Sequence, residues 1–329
     1  MAPEAAEERT SLTAQILDEF FPFASPLDEL PDATPAEGPD PYGESDPEWL
    51  RIDWRKYLHR VDVGGARHVN CVEMGPGGGK ALLLVHGLSG AWQNWLENIP
   101  HFAREHRVVA MDLPGFGESP MPDWELSVEA YGRFVHELCD ALGIHTATIV
   151  GNSMGGFIAA EAATENPARF EKLVLASAAG ISHARMRRQP AEVAARMGIA
   201  AAPLILKLAE NAIRRPRVRR IFGGLFYAPE RMRPELLWEF FHHGTGKPGV
   251  LPAVRGLVGY DILNRLEDVE VPTLIVWGRN DHVVPPHDAI GYGKRLRNSR
   301  TVIFDRTGHV PMAERPVRFN RVLETFLAE

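Results

Sequence analysis

Gly151-Asn152-Ser153-Met154-Gly155-Gly156 constrains this chain more than any other stretch. It follows an apolar run (Ala147, Ile149, Val150) and opens a small-residue helical run (Phe157, Ile158, Ala159, Ala160). The pattern reads as strand, sharp turn and helix, with a serine at the apex. A serine so placed stands on a strained backbone that pushes its hydroxyl out of the fold. The glycines two residues before and after it have a steric reason: side chains at Gly151 and Gly155 would clash with main chain passing close by. Few arrangements other than nucleophilic catalysis require this geometry.

From about residue 56 the chain alternates strand and helix. Tyr57–Val63 and Arg67–Met74 read as two strands about a Gly64-Gly65 hairpin. The continuous apolar run Ala81–Val85 is of buried-strand type, and Arg107–Met111 resembles it. Further strands are expected at Thr146–Val150, Leu173–Ala176, Thr273–Trp277 and Thr301–Phe304. Amphipathic helices are expected over Val128–Leu142 and about Val317–Leu327. Such alternation implies an α/β fold with a mostly parallel sheet covered on both faces. Residues 183–261 break the rhythm with helical, Arg- and Ala-rich sequence. The expected organisation is an acidic, Pro-rich extension over 1–55, a core over 56–182 and 262–329, and a helical lid insertion over 183–261.

Hydrophobic residues make up 45% of the 329, and the net charge of -7 gives no reason to expect nucleic-acid binding. Only Cys71 and Cys139 occur, too few for a disulfide framework and not at metal spacing. Residues 1–9 are acidic without an apolar run, and no segment approaches the roughly 18 apolar residues of a membrane span. A reduced, cytoplasmic protein without a transmembrane segment is the expectation; oligomeric state stays open. Residues 1–50 hold thirteen Asp/Glu against one Arg, whereas 183–225 hold nine Arg and one Lys against two Glu. Leu12, Ile16, Leu17 and Phe20 have helical spacing ahead of the Pro-rich stretch. The extension reads first as a solvated tail draped on the core. Docking of its acids on 183–225, or a membrane-facing role for Phe20-Phe21-Pro22-Phe23, are the alternatives.

A serine hydroxyl needs a base within hydrogen-bond reach. His309, in Thr307-Gly308-His309-Val310, follows the last expected strand, and Asp281 follows the strand before it. Ser153, Asp281 and His309 thus come from three strand ends at one sheet edge. His309 would take and return the serine proton, and Asp281 would orient the imidazole. Negative charge on a tetrahedral intermediate needs donors, for which the N–H groups of Met154 and Leu88 are the candidates. His86 reads as a brace of the Gly87-Leu88 loop rather than a base. Asp112–Ser119 reads as a turn beside the site, His242-His243 as unsuited to share a metal, and Gly77–Lys80 as a surface turn. No cofactor or metal is implied.

His86-Gly87, Asp112-Leu113-Pro114-Gly115-Phe116-Gly117-Glu118-Ser119, Gly151-Asn152-Ser153-Met154-Gly155-Gly156, Asp281 and Gly308-His309 occur in the order of the motifs of α/β-hydrolase-fold enzymes. From about residue 56 onward the chain resembles that family's serine-nucleophile branch. The resemblance implies an enzyme, since Ser153, Asp281 and His309 fill all triad positions, and not a non-catalytic binding module of the same fold. The Gly-Asn-Ser-Met-Gly-Gly elbow is similar to that of carbon–carbon hydrolases acting on ring meta-cleavage products. Many of those carry tryptophan after the catalytic histidine, where this chain has Val310. Gly-His-Val-Pro with Glu314-Arg315-Pro316 looks more like esterases and monoacylglycerol-lipase-like hydrolases. Hydrolysis of small carboxylic esters is therefore expected, ahead of carbon–carbon hydrolysis and perhydrolase-like activity. Met186, Met197, Leu204, Leu208, Phe222, Leu225, Phe226, Trp238 and Phe241 are expected to divide between the insertion's own core and an apolar acyl site. Arg185 through Arg220 read as a solvated face rather than a carboxylate clamp.

Overall fold

A computed structural model describes residues 32–43, 46–183, 192, 195–197, 199–204, 206–207 and 213–329. Eight strands form one sheet: β1 (Leu58–Asp62), β2 (His68–Met74), β3 (Ala81–Val85), β4 (Arg107–Met111), β5 (Ala147–Asn152), β6 (Phe170–Ala176), β7 (Thr273–Gly278) and β8 (Ser299–Phe304). Their order is β1-β2-β4-β3-β5-β6-β7-β8. β1 and β2 form an antiparallel hairpin whose second strand joins β4, and all pairs from β4 to β8 are parallel. The carboxyl ends of six strands therefore share one rim. Every residue of β3, β5 and β7 is buried, as helix cover on both faces requires.

Strand alternation divides the core in two. Leu83, Val85, Val109, Ile149, Leu175 and Trp277 face one layer, whereas Leu82, Leu84, Val108, Val150, Val174 and Val276 face the other. Six described helices reach eight residues: α1 (Val128–Ala141), α2 (Met154–Glu165), α3 (Pro234–His242), α4 (Val250–Leu257), α5 (His287–Arg295) and α6 (Pro316–Ala328). The Ser127 hydroxyl caps α1 by accepting from the Ala130 N–H at 3.1 Å. α1, α2 and α5 cover the first layer; α6, with Trp95 and Phe102, covers the second. Met154–Ala163 are all buried, so α2 needs no polar face and its small residues let it lie close to the sheet.

The expected strands and helices are all present, with ends moved by up to three residues. β6 begins at Phe170 rather than Leu173, because pairing with β5 extends it past the apolar run. Between β6 and β7 the alternation is interrupted, as expected, and the described part contains α3 and α4.

Residues 32–43 and 46–56 lie on the core, as a draped tail would, but are held by specific bonds rather than loosely. The Thr34 N–H donates to the Ile303 carbonyl at 2.9 Å, and the Thr34 Oγ1 accepts from the Ile303 N–H at 3.1 Å. These bonds cover the free edge of β8. Arg318 pairs with Asp40 at 3.3 Å and bonds the Thr34 carbonyl; Arg321 bonds the Glu37 and Pro39 carbonyls. Trp49 is buried, and Trp54 packs on Trp92 with ring centroids 5.0 Å apart. Among the described residues, Asp40 pairs with Arg318 and Arg315, and Glu48 with Arg104. Among the described residues, Arg318 and Arg321 of α6 hold this arm; the acids of residues 1–31 and part of the Arg-rich stretch lie outside the described residues. Leu12–Phe23 lie outside the described residues.

At the rim, His86 ends β3 and ties two loops together. Its Nε2 accepts from the Leu113 N–H at 2.9 Å, so Nδ1 carries the proton and donates to the Gly87 carbonyl at 2.7 Å. Burial lowers its pKa from the ordinary 6.5 to about 4. Between those values the unfolded chain takes up a proton that the fold refuses, so stability falls as pH drops from 6.5 toward 4. The shift corresponds to about 3 kcal/mol at most. Urea titrations of wild type should show this decline, and His86→Asn should flatten it while lowering stability at pH 7. Equal slopes in the two proteins would refute a neutral, buried His86. Gly155→Ala should cost about 3 kcal/mol or prevent folding, because its methyl would sit 2.2 Å from the Val85 carbonyl oxygen. A melting temperature equal to wild type would contradict that packing.

Candidate active site

Ser153 links β5 to α2 with φ 56° and ψ -120°, a region costly for a side-chain-bearing residue. Main-chain bonds on both sides hold it there. The Ser153 N–H donates to the Ala176 carbonyl at 3.1 Å, and the Ser153 carbonyl accepts from the Ala179 N–H at 2.9 Å. The expected steric role of the glycines is met. A Cβ on Gly151 would lie 2.2 Å from the Gly155 oxygen, and one on Gly156 would lie 2.5 Å from the Ala178 Cβ. A Cβ on Gly87 would come within 3.0 Å of the Ser153 Cβ, so the β3 loop also passes directly beside the serine.

Asp281 and His309 meet at the same rim. The His309 Nδ1 lies 2.8 Å from the Asp281 Oδ2, and both side chains are buried. The other carboxylate oxygen accepts from the Val283 and Val284 N–H groups at 2.8 and 3.0 Å. With a carboxylate on Nδ1, the imidazole proton resides there and Nε2 is the free basic nitrogen. The other nearby acids are engaged elsewhere: Asp288 accepts from the Ser182 N–H and hydroxyl, and Asp305 is exposed beside Arg306. Asn152, adjacent to the serine, donates through Nδ2 to the His309 carbonyl at 3.1 Å and to the Ala176 carbonyl at 3.0 Å. It thereby fastens the histidine loop to β5 and β6.

Gly278 escaped the sequence reading. A Cβ there would lie 2.0 Å from the Gly308 oxygen and 2.4 Å from the Thr307 oxygen. Its missing side chain lets the end of β7 touch the histidine loop, where the Asn280 N–H donates to the Thr307 carbonyl at 2.9 Å. A glycine closing a buried strand just before an acidic loop was the available signal.

Asp112 is buried in a turn, as expected. It accepts from the Trp92 N–H, the Asn70 side chain and the Glu118 N–H at 2.8 to 2.9 Å, and burial raises its pKa. His242 stacks on Trp238, His243 approaches Glu239 at 3.0 Å, and the two imidazoles meet edge to face with centroids 5.1 Å apart. Among the described residues no group of three or more His, Cys, Asp or Glu could hold a metal ion.

Ser153 and His309 open onto a cavity of about 680 Å³ that Leu88 and Met154 also line. Its walls are mainly apolar, from Ile199, Phe222, Leu225, Phe241, Val254 and Leu257. Of the expected insertion residues, Phe222, Leu225 and Phe241 reach the cavity, and Phe226 is buried in the core. Met197 and Leu204 do neither: they are 68% and 61% exposed. Met186 and Leu208 lie outside the described residues. No Lys or Arg is among the described lining residues. The polar wall includes Ser89, Thr245 and His183. Burial and the nearby His309 lower the His183 pKa from the ordinary 6.5 to about 4, which favours the neutral imidazole. Sequence reasoning missed His183; its place just beyond the β6 strand end was the signal.

The model of the alpha/beta hydrolase family matches residues 82–322. A Comamonas testosteroni protein named 2-hydroxy-6-oxo-6-phenylhexa-2,4-dienoate hydrolase is 32% identical over 267 residues, covering 77% of this chain and 89% of the relative. A serine hydrolase involved in carbazole degradation superposes with a TM-score of 0.66 at 25% identity, over 82% of this chain and 98% of that one. An esterase from Thermogutta terrifontis shares the fold with a TM-score of 0.66 at 24% identity, over 82% and 98%. The family match, the eight-stranded sheet and these likenesses together place the chain in the alpha/beta hydrolase family, as a hydrolase.

Proposed function

We propose that the chain is a serine hydrolase of small carboxylic esters with apolar acyl groups. The observation that carries this reading is the strained Ser153 opening, beside the Asp281-bonded His309, into an apolar cavity. In the proposed reaction His309 Nε2 takes the Ser153 proton while Oγ attacks the ester carbonyl carbon. The Leu88 and Met154 N–H groups donate to the oxyanion. The C–O bond then breaks, the alcohol leaves with the proton from His309, and an acyl-enzyme remains. Water, deprotonated by the same imidazole, releases the acid and restores the serine. Asp281 keeps the proton on Nδ1 and stabilises the imidazolium. Residues 183–261 act as the lid of this site, and the two buried free thiols, Cys71 and Cys139, fit a cytoplasmic setting.

Carbon–carbon hydrolysis is the second reading, favoured by the name of the Comamonas relative. Its dienoate substrate carries a carboxylate, whereas the described wall is mainly apolar, with Ser89, Thr245 and His183 as polar groups. Neutral esters match that wall better.

A substrate panel separates the two. p-Nitrophenyl butyrate should be cleaved with kcat/KM at least tenfold above that for a 2-hydroxy-6-oxo-dienoate; the reverse order would favour the second reading. Ser153→Ala should lower turnover of either substrate by ~10³-fold or more, and Asp281→Asn by ~10³- to 10⁴-fold, both with the fold retained. Ester cleavage surviving in Ser153→Ala would remove Ser153 as nucleophile.

A further inference from the structure

Tyr42 lies on the arm, forty residues before the stretch that the family model matches. Its hydroxyl is buried in a junction of three chain segments. It donates to the Glu314 Oε2 at 2.6 Å and accepts from the Ala228 N–H at 2.8 Å. The guanidinium carbons of Arg231 and Arg315 sit 5.1 and 4.9 Å from its ring centroid. The next residue continues the contact, with the Gly43 N–H donating to the Glu314 carbonyl at 2.8 Å.

Glu314 connects this junction to His309. Its Oε1 accepts from the Gly308 N–H at 2.9 Å and the Val310 N–H at 3.3 Å, the two amides that flank the histidine. Its Oε2 accepts from the Tyr227 N–H at 2.8 Å as well as from Tyr42. Four donors thus surround one fully buried carboxylate, which matches the lone-pair capacity of the group. The His309 N–H itself donates to the Leu225 carbonyl at 2.9 Å. The Gly308 and Val310 amides are thus tied to Glu314, the His309 amide to the 225–228 segment and the His309 carbonyl to Asn152.

We propose that Tyr42 is a positioning residue for His309: its hydroxyl, bridging Glu314 and the Ala228 amide, holds the histidine loop and the 225–228 segment in one arrangement. The proposal rests on the reading that His309 activates Ser153. The Tyr42 hydroxyl lies too far along the network to meet substrate and acts only through the loop. Proton abstraction tolerates little displacement, since a shift of about 1 Å in a reacting group costs roughly 10²-fold in rate. Tyr42 itself does not line the cavity, so the main effect falls on the chemical step rather than on binding.

The test uses the full chain. Wild type, Tyr42→Phe, Glu314→Gln and Thr34→Val are compared by the rate constant for covalent labelling with a fluorophosphonate, by kcat and KM for p-nitrophenyl butyrate, and by urea unfolding. Thr34→Val removes an arm–β8 hydrogen bond remote from Tyr42 and serves as the stability control. Tyr42→Phe should keep the buried ring, slow labelling about 10-fold and lower kcat by the same factor, with KM within twofold. Glu314→Gln should do the same, and the double variant should be no slower than the slower single one. Thr34→Val should label within twofold of wild type despite lower stability. Labelling of Tyr42→Phe at the wild-type rate would overturn the proposal. So would slowing of Tyr42→Phe and Thr34→Val in proportion to their loss of stability. If Tyr42→Phe does not fold, Glu314→Gln decides by the same criteria. Wild type that resists labelling, or Ser153→Ala that accepts it, would instead refute the triad reading itself.

Discussion

Direct contact between main chains, with no side chain in between, is what the rim depends on. Gly155 rests against the Val85 carbonyl, Gly151 against Gly155, Gly87 against Ser153, and Gly278 against the Thr307 and Gly308 carbonyls. Each contact removes one layer of side chains from between two strand ends. The result is that segments of chain 128 and 28 residues apart, counted from Ser153 to Asp281 and from Asp281 to His309, reach one place. A methyl group at Gly151, Gly155 or Gly278 would meet backbone, which cannot rotate away as a side chain can.

Charge at the rim is managed by burial as much as by pairing. Desolvation favours the neutral form of both His86 and His183, one a strut and one part of the cavity wall. Asp281 is buried yet fully bonded: two N–H groups on one oxygen and the imidazole on the other. That difference separates three histidines of similar setting. Only His309 has a carboxylate on Nδ1, whereas His86 donates to a carbonyl there.

Much of this was legible in the chain itself. The alternation of apolar strands with helices, the Ser153 turn and the order of Ser153, Asp281 and His309 are local patterns, and local patterns survive in sequence. Strand ends were blurred because pairing with a neighbour extends a strand beyond its apolar run, as at Phe170. Gly278 and His183 stayed hidden, since their importance arises only when distant loops touch. The arm's attachments were missed for a related reason. Pro-rich and acidic sequence looks solvated when judged by composition, but Thr34, Glu37 and Pro39 dock through backbone atoms, which composition does not record. Met197 and Leu204 show the converse: apolar side chains that face water among the described residues.

The position of the three loops in the sheet explains why the arm matters. β5, which precedes Ser153, lies in the middle with partners on both sides, and β7, which precedes Asp281, also has two. β8, which precedes His309, is an edge strand with one. The histidine loop therefore receives the least support from the sheet, while the general base that the proposed reaction assigns to His309 would tolerate little displacement. A fold with this order must stabilise the loop from outside the sheet. Here the support comes from Asn152 on the inner side, Leu225 above, and Glu314 with Tyr42 on the outer side, where Thr34 also covers the β8 edge. An added segment that did nothing but shield the edge would need no buried hydroxyl reaching the two amides beside the imidazole through one carboxylate.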